Sequence, residues 1–363
     1  MREWPALFRR LLSRLSRGGP QDMRRPVDVV IPVYRGLAET RACVESALAA
    51  RRAVPYDLVV IDDHTPEPGM AGWLAGLGRA GRITLLTHGE NRGFVASVNE
   101  GMALHPERDV VLLNSDTEVA PGWLDRLSAC VRRDPRIGTA TPFSNNATIL
   151  SYPRTLAPNA IPAGETTATL DAAFAAANAG RCEDIVTAVG FCMYISRAGL
   201  DRVGAFDLER YGAGYGEEVD FCMRARRAGF RNVVCADVFV RHVGEVSFGE
   251  GGAGRRQAAQ ATVDALYPEF QQLLAQFIPA DPLRGLRRRA DLQRLRRTPG
   301  ELARVARGRH LRLSWDRPGE EFALWLDPAR DREGLAAIER CLAERAAPLP
   351  ELEARWLAEP LES

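Results

Sequence analysis

Residues 110–119 read VVLLNSDTEV, an apolar run that stops abruptly at Asn114, Ser115, Asp116, Thr117 and Glu118. This pattern predicts a buried strand that delivers acidic and hydroxyl groups to a sheet edge. A carboxylate placed there suits a hard divalent cation, which takes oxygen ligands and can bridge phosphates. The plainer reading makes Asp116 a cap for the turn into Pro121 and Gly122, a common use of Asp and Thr. A second acidic cluster, Gly216-Glu217-Glu218-Val219-Asp220, follows the glycine-rich YGAGYG. A carboxylate at such a loop-to-helix junction can take a proton from a hydroxyl nucleophile. Acids in a first helical turn also favour the macrodipole, which explains the cluster without chemistry. Asp62 and Asp63 end another apolar run and suit a base N–H or a ribose hydroxyl. Asn91-Arg92-Gly93-Phe94, with Asn99 further along, offers a glycine for close backbone approach and a helix start for an anion; Asn91 as an ordinary helix cap explains the same residues. His242, in VRHVGEVS, is a metal-ligand candidate whose alternative is a structural histidine.

The elements that must position these groups alternate. Val27–Val33 is β-branched and apolar, residues 37–50 are helical, 57–61 and 83–87 are strands around a helix near 72–78, and Phe94–Ala103 is a helix before the strand 110–113. Strand–helix alternation with short connections predicts a mostly parallel sheet covered on both faces. In such sheets ligands bind beyond the carboxyl ends of the strands, where Tyr34, Asp62, Asp63 and Asn114–Asp116 all fall. That shared location is the physical argument for one site. Beyond Pro142 come a loop and an Ala-rich helix reaching to Gly180, a strand over 186–195, a short helix over 200–203, a helix over 220–228 and a strand over 233–240. Residues 284–309 read as a basic helical segment, 310–326 as a hairpin around Arg317-Pro318-Gly319, and 332–345 as a helix. The division is therefore 1–26 as a basic amphipathic helix and linker, 27–270 as the main domain, and 271–363 as a C-terminal extension.

Composition excludes some classes. The 363 residues carry a formal net charge of +1, so nothing global favours nucleic acid. The basic segments 9–25 and 284–309 read as solvated or membrane-facing surfaces. Residues 4–15 (WPALFRRLLSRL) have the spacing of a short helix suited to an anionic membrane surface, its own domain or a partner. Seven widely spaced cysteines without a CxxC pair read as buried thiols in a reducing compartment. No apolar run is long enough to span a bilayer and no secretory leader is visible, which makes a cytoplasmic location the expectation. A dinucleotide-dependent oxidoreductase would need a G-x-G-x-x-G turn after the first strand, where this chain has IPVYRG.

The pieces VVIPVYRG, VVIDDHTPEPG, NRGFVASVNEG, LLNSDTEVAPGWL, VGFCMYISRAGLDRVGAFD, GEEVDFCMRARRAGF and VRHVGEVS occur in that order over residues 27–249. Together they resemble the family 2 glycosyltransferases, inverting enzymes of the GT-A fold. The resemblance implies an α/β GT-A domain with helical extensions. Pro32 and Tyr34 would line the nucleotide pocket, Asp63 would contact the base with Asp62 beside it, and Asn91, Gly93 and Asn99 would lie along the nucleotide. Asn114 and Ser115 would flank Asp116, the metal-binding Asp of a DxD-like motif, with His242 as the late metal- or diphosphate-contacting residue. The motif here is Ser-Asp-Thr-Glu, so Glu118 is the candidate second acid. The family's catalytic base is the Asp of a Glu-Asp pair, a position held here by Glu218, with Glu217 as the alternative base. The implied cofactor is Mn²⁺ or Mg²⁺, and the implied donor a UDP- or dTDP-sugar. The acceptor would be a saccharide, lipid-linked or protein-linked hydroxyl in bacterial surface polysaccharide or glycoconjugate synthesis, with peripheral contact at the inner face of the membrane. The competing reading is a sugar-nucleotide-binding scaffold that has lost catalysis.

Overall fold

The computed structural model describes residues 25–50, 53–162, 164–212, 214–244 and 252–297, and the strands 302–307, 311–317 and 320–326. The helices expected over residues 4–15 and 332–345 lie outside the described residues. In chain order the elements begin β1 (Val27–Val33), α1 (Leu37–Ala49), β2 (Tyr56–Asp62), α2 (Met70–Arg79), β3 (Thr84–Thr87), α3 (Phe94–Ala103), β4 (Asp109–Leu113) and β5 (Thr117–Glu118). There follow α4 (Trp123–Arg132), β6 (Ile137–Phe143), α5 (Thr167–Asn178), β7 (Cys182–Asp184), β8 (Cys192–Ile195), α6 (Arg197–Val203), α7 (Leu208–Tyr211), α8 (Glu217–Arg227), β9 (Arg231–Phe239) and β10 (Arg241–His242). The last are α9 (Gly252–Leu266), α10 (Pro268–Ala280), α11 (Arg284–Arg297), β11 (Leu302–Arg307), β12 (Leu311–Arg317) and β13 (Glu320–Leu326).

The main sheet has eight strands in the order β3-β2-β1-β4-β8-β6-β9-β7. Its first four are parallel, while β8 runs antiparallel to both β4 and β6, and β7 antiparallel to β9. The two-residue period of β1 sorts its side chains. Val27, Val29, Ile31 and Val33 enter the cluster under α1 and α4, with Cys43, Val44, Trp123 and Leu127. Val30 joins the opposite cluster with Val95, Val98 and Met102 of α3. Burial on both faces is why the strand reads as a nearly continuous apolar run. Its one acid, Asp28, is fully buried and bonded by Arg108 and His105.

Three expectations change. The strand expected over 186–195 is confined to Cys192–Ile195. Ahead of it, the Ala188 N–H is taken by the Cys222 thiol of α8 rather than by a neighbouring strand. The edge strand β7 has no counterpart in the expected elements, and within the basic segment Leu302–Arg307 is strand β11, paired with β12. The expected hairpin is present, Arg317 opposite Glu320.

The basic helix α11 is not simply a solvated face. Leu283, Leu286 and Ala290 are buried in the main core, and Arg287 and Arg294 are buried as well. Arg294 donates to Glu165 at 2.7 Å and to the Tyr152 hydroxyl at 2.8 Å, and Tyr152 donates to Asp291 at 2.6 Å. The packed body thus continues past residue 270, and α11 braces the loop between β6 and α5. Removing one partner of a buried charge network costs more than the network contributes, because the other charges stay buried. Arg294→Met is expected to lower stability by about 3 kcal/mol, read as a fall in the urea unfolding midpoint.

Candidate active site

At the carboxyl ends of β1 and β2, Pro32 and Tyr34 are half-buried, and the Arg35 guanidinium lies 5.2 Å from the centre of the Tyr34 ring. Asp62 accepts from the Thr65 N–H at 2.9 Å and so shapes the turn that follows. Asp63, 3% exposed, accepts from the Arg92 N–H at 2.7 Å, the Gly93 N–H at 2.8 Å and His88 Nδ1 at 2.7 Å. Its carboxylate is the anchor of the Asn91–Gly93 loop, and Asn91 itself is exposed. His88, which no sequence pattern singled out, also meets Glu100 at 3.0 Å, and Glu100 in turn takes Arg92 at 2.8 Å. The Asn99 amide is engaged on both sides by the Phe206 backbone, at 2.8 and 3.1 Å, and ties α3 to the segment before α7. Asp63→Ala leaves three donors without their acceptor. About 3 kcal/mol of local stability should go with it, read as roughly hundredfold faster amide exchange at Arg92 and Gly93.

Gly93 has φ +84°, and a Cβ there would lie 2.8 Å from the Gly212 carbonyl oxygen. The loop that opens the first half of the site is therefore packed directly on the loop that leads to the two glutamates, and only glycine permits it.

The second group forms where β5 pairs with β10, which sets His242 opposite Thr117. Asp116, 6% exposed, accepts from the Gly244 N–H at 2.8 Å, and its other oxygen faces His242 Nε2 at 3.5 Å. Burial alone would raise the Asp116 pKa, but the His242 and Gly244 contacts outweigh it and hold the carboxyl below its usual range. Burial likewise pulls His242 down, and Asp116 with the Asn146 carbonyl carries it above the ordinary imidazole value. His242 Nδ1 lies 2.7 Å from that carbonyl, and the ring stacks on Phe191 at 5.2 Å. Asn114 and Ser115 flank this point: the Asn114 N–H donates to the Phe191 carbonyl at 2.9 Å, and Ser115 is buried. Glu118, in contrast, pairs with Arg241 at 3.2 Å near the surface, so the two acids of the DxD-like motif have different partners.

The third group opens α8. Gly216 caps the helix with φ +88°, and Glu217 and Glu218 occupy its first turn. One oxygen of each carboxylate is buried without a hydrogen-bond partner. Burial, then the neighbouring Glu218 charge, pushes Glu217 well above the usual glutamate range. Burial also raises Glu218, against the pull of backbone N–H groups at the helix start. Asp220, the third acid, is structural: it accepts from Tyr267 at 2.6 Å and from Arg224 at 2.7 Å. Segment 187–191 links this group to the previous one, since Ala188 bonds Cys222 on α8 and Phe191 stacks on His242.

Among the described residues, one trio of metal-ligand type, Asp28, Asp57 and His105, has its ligand atoms within 4.8 Å of one another. It lies at the opposite ends of β1 and β2, and Arg108 already brings a positive charge to both of its carboxylates. The six described cysteines are free thiols, five of them buried. No helix among the described residues is long and apolar enough to cross a membrane.

The sequence profile of the family described as "Glycosyltransferase like family 2" matches residues 24–259. A curated relative, the uncharacterized protein y4gI of Sinorhizobium fredii (strain NBRC 101917 / NGR234), is 26% identical over 218 residues. That alignment covers 57% of this chain and 23% of the relative, so the chain matches under a quarter of that protein's length. Among solved structures, GalNAc-T7 with UDP, GalNAc and Mn²⁺ superimposes with a TM-score of 0.51 at 13% identity, covering 83% of this chain and 67% of that one.

Proposed function

The chain belongs to glycosyltransferase family 2 and has the GT-A fold, and from that premise we propose that it moves a sugar from a nucleoside-diphosphate donor to an acceptor hydroxyl, with inversion. The observation that carries this reading is the Glu217–Glu218 pair, whose buried, unpartnered oxygens cost stability. Carboxylates with raised pKa values in such a position are suited to proton transfer. Glu218 takes the proton of the acceptor hydroxyl. The acceptor oxygen bonds to the anomeric carbon as the bond from that carbon to the β-phosphate oxygen breaks, and the nucleoside diphosphate leaves with the electron pair.

The donor set at Asp116 and His242 suits a divalent cation. An ionised carboxylate oxygen and an imidazole nitrogen face each other at 3.5 Å, longer than a good hydrogen bond. A bound Mn²⁺ or Mg²⁺ would offset the charge that develops on the diphosphate. Asp116 and His242 would hold it, Asn114 and Ser115 lie beside them, and the loop anchored by Asp63 borders the nucleotide with Pro32 and Tyr34. The neighbour bound to UDP and Mn²⁺ supports a nucleotide-sugar donor, and the donor proposed is a UDP- or dTDP-sugar. The acceptor class proposed is a saccharide or lipid-linked hydroxyl of bacterial surface glycoconjugate synthesis, met at the cytoplasmic face of the membrane.

The test is binding and donor hydrolysis across a panel of UDP-, dTDP- and GDP-sugars, with and without Mn²⁺. Metal-dependent binding of one donor class, followed by turnover when acceptors are added, is the expected result. Donor binding with no hydrolysis or transfer under any condition would instead favour the binding-scaffold reading.

A further inference from the structure

We infer that Asn145 is the positioning residue that sets the His242 imidazole, an inference that rests on the role proposed above for His242 and Asp116. Asn145 lies two residues past the end of β6, 7% exposed. Its side-chain amide treats His242 as one strand treats another: Oδ1 accepts the His242 N–H at 2.9 Å, and Nδ2 donates to the His242 carbonyl at 2.9 Å. Nδ2 also donates to the Asn159 carbonyl at 3.1 Å.

This contact answers a physical need. Strand β10 is two residues long and pairs with the two-residue β5. So short a ribbon holds an extended backbone poorly, and its outer N–H and C=O would be left half-buried without partners. Asparagine is suited to the place, because its side chain carries donor and acceptor in the geometry of a peptide group. The next residue completes the arrangement. The Asn146 carbonyl takes His242 Nδ1 at 2.7 Å, which fixes the tautomer and leaves Nε2 toward Asp116. The backbone on either side of His242 and one ring nitrogen are thus held from a single dipeptide 97 and 96 residues away in sequence.

The experiment titrates Mn²⁺ by electron paramagnetic resonance, with UDP or dTDP present, into the wild type, Asn145→Ala, Asn145→Asp, His242→Ala, Asp116→Ala and the Asn145→Ala/His242→Ala double variant. Nitrogen-15 spectra of the His242 ring are recorded for the first three. Loss of an outer partner of a metal-ligating His costs about 10- to 100-fold in metal affinity. Asn145→Ala is expected to weaken Mn²⁺ binding by about tenfold or more and to convert the Nδ1-protonated ring into a tautomer mixture. The double variant should bind no more weakly than His242→Ala alone. Asn145→Asp keeps the size and the acceptor but lacks both donors, so it tests the same contact should the alanine variant fold poorly. Unchanged Mn²⁺ affinity and an unchanged ring spectrum in the Asn145 variants, with His242→Ala impaired, would overturn this inference and leave the ion site standing. Additive losses in the double variant would also overturn it. If His242→Ala and Asp116→Ala bind Mn²⁺ as tightly as the wild type, the ion site itself is wrong, and the role assigned to Asn145 goes with it.

Discussion

Asp116→Asn is expected to lower turnover by about 10³-fold while leaving the unfolding midpoint close to that of the wild type. The substitution keeps the shape of a buried side chain and removes its charge. In the native chain one oxygen accepts the Gly244 N–H at 2.8 Å and the other faces His242, with the carboxyl held in its ionised form. An amide can keep the Gly244 bond only by turning its NH₂ toward His242, where a cation or a protonated imidazole would sit. In the proposed transfer, electrostatic stabilisation of a leaving diphosphate depends on that charge, and the loss is expected to fall mainly on kcat. Glu118→Gln is the matched control. Glu118 shares the motif but pairs with Arg241 at a partly exposed position, so its loss is expected to change kcat by no more than about threefold. Steady-state kinetics with a saturating donor, together with a Mn²⁺ titration, separate the two variants. An Asp116→Asn enzyme retaining a tenth of its activity would place the chemistry elsewhere.

How far the sequence discloses this site depends on the kind of contact. The positions of Asp62, Asp63 and Asp116 are legible because Asp62 ends β2, Asp63 follows it and Asp116 lies just past β4, and a strand's carboxyl end is a fixed place in an α/β sheet. Glu217 and Glu218 are legible because a glycine-rich approach and a helix start announce a junction. What the sequence does not carry is the partner. Asp63 reads as a nucleotide contact, and the structure engages its oxygens with Arg92, Gly93 and His88. Asn99 reads as lining, and its amide clamps Phe206, 107 residues away. Phe191 falls inside the VGFCMYIS piece and Asn145 in the loop after Phe143, but neither place names His242 as the partner, since those contacts arise only when β6, β8 and β10 are brought together. The Arg-rich α11 misleads for a related reason. Composition marks it as a surface, and its burial depends on Glu165 and Tyr152 from the loop between β6 and α5 and on Asp291 from the preceding turn of the helix.

Glu218→Gln is expected to reduce kcat by about 10³-fold at an unchanged donor affinity, the usual scale for a positioned general base. The pH profile supplies the second half of the argument. A base must be unprotonated to work, and burial raises both glutamates above the ordinary value. The acid limb of kcat/KM should therefore lie at higher pH than an exposed carboxylate gives, with activity lost as pH falls through it. Stability should move the other way. A carboxyl whose folded pKa is raised binds its proton more tightly when folded, so its contribution is favourable at low pH and is lost as pH rises. Replacing it by a neutral amide removes that loss. Glu218→Gln and Glu217→Gln are both expected to melt a few degrees higher than the wild type at about pH 7, and at nearly the same temperature at about pH 4. The two variants part on rate. In Glu218→Gln the Glu217 carboxyl loses the neighbouring charge that helps to raise it, and ionises more readily as the fallback base. Glu217→Gln leaves Glu218, the proposed base, in place and is expected to retain at least about a tenth of wild-type kcat, a loss smaller than that of a general base. A reversed order, with Glu217→Gln dead and Glu218→Gln active, would move the base by one residue. Equal and small effects in both would remove proton abstraction from this helix altogether.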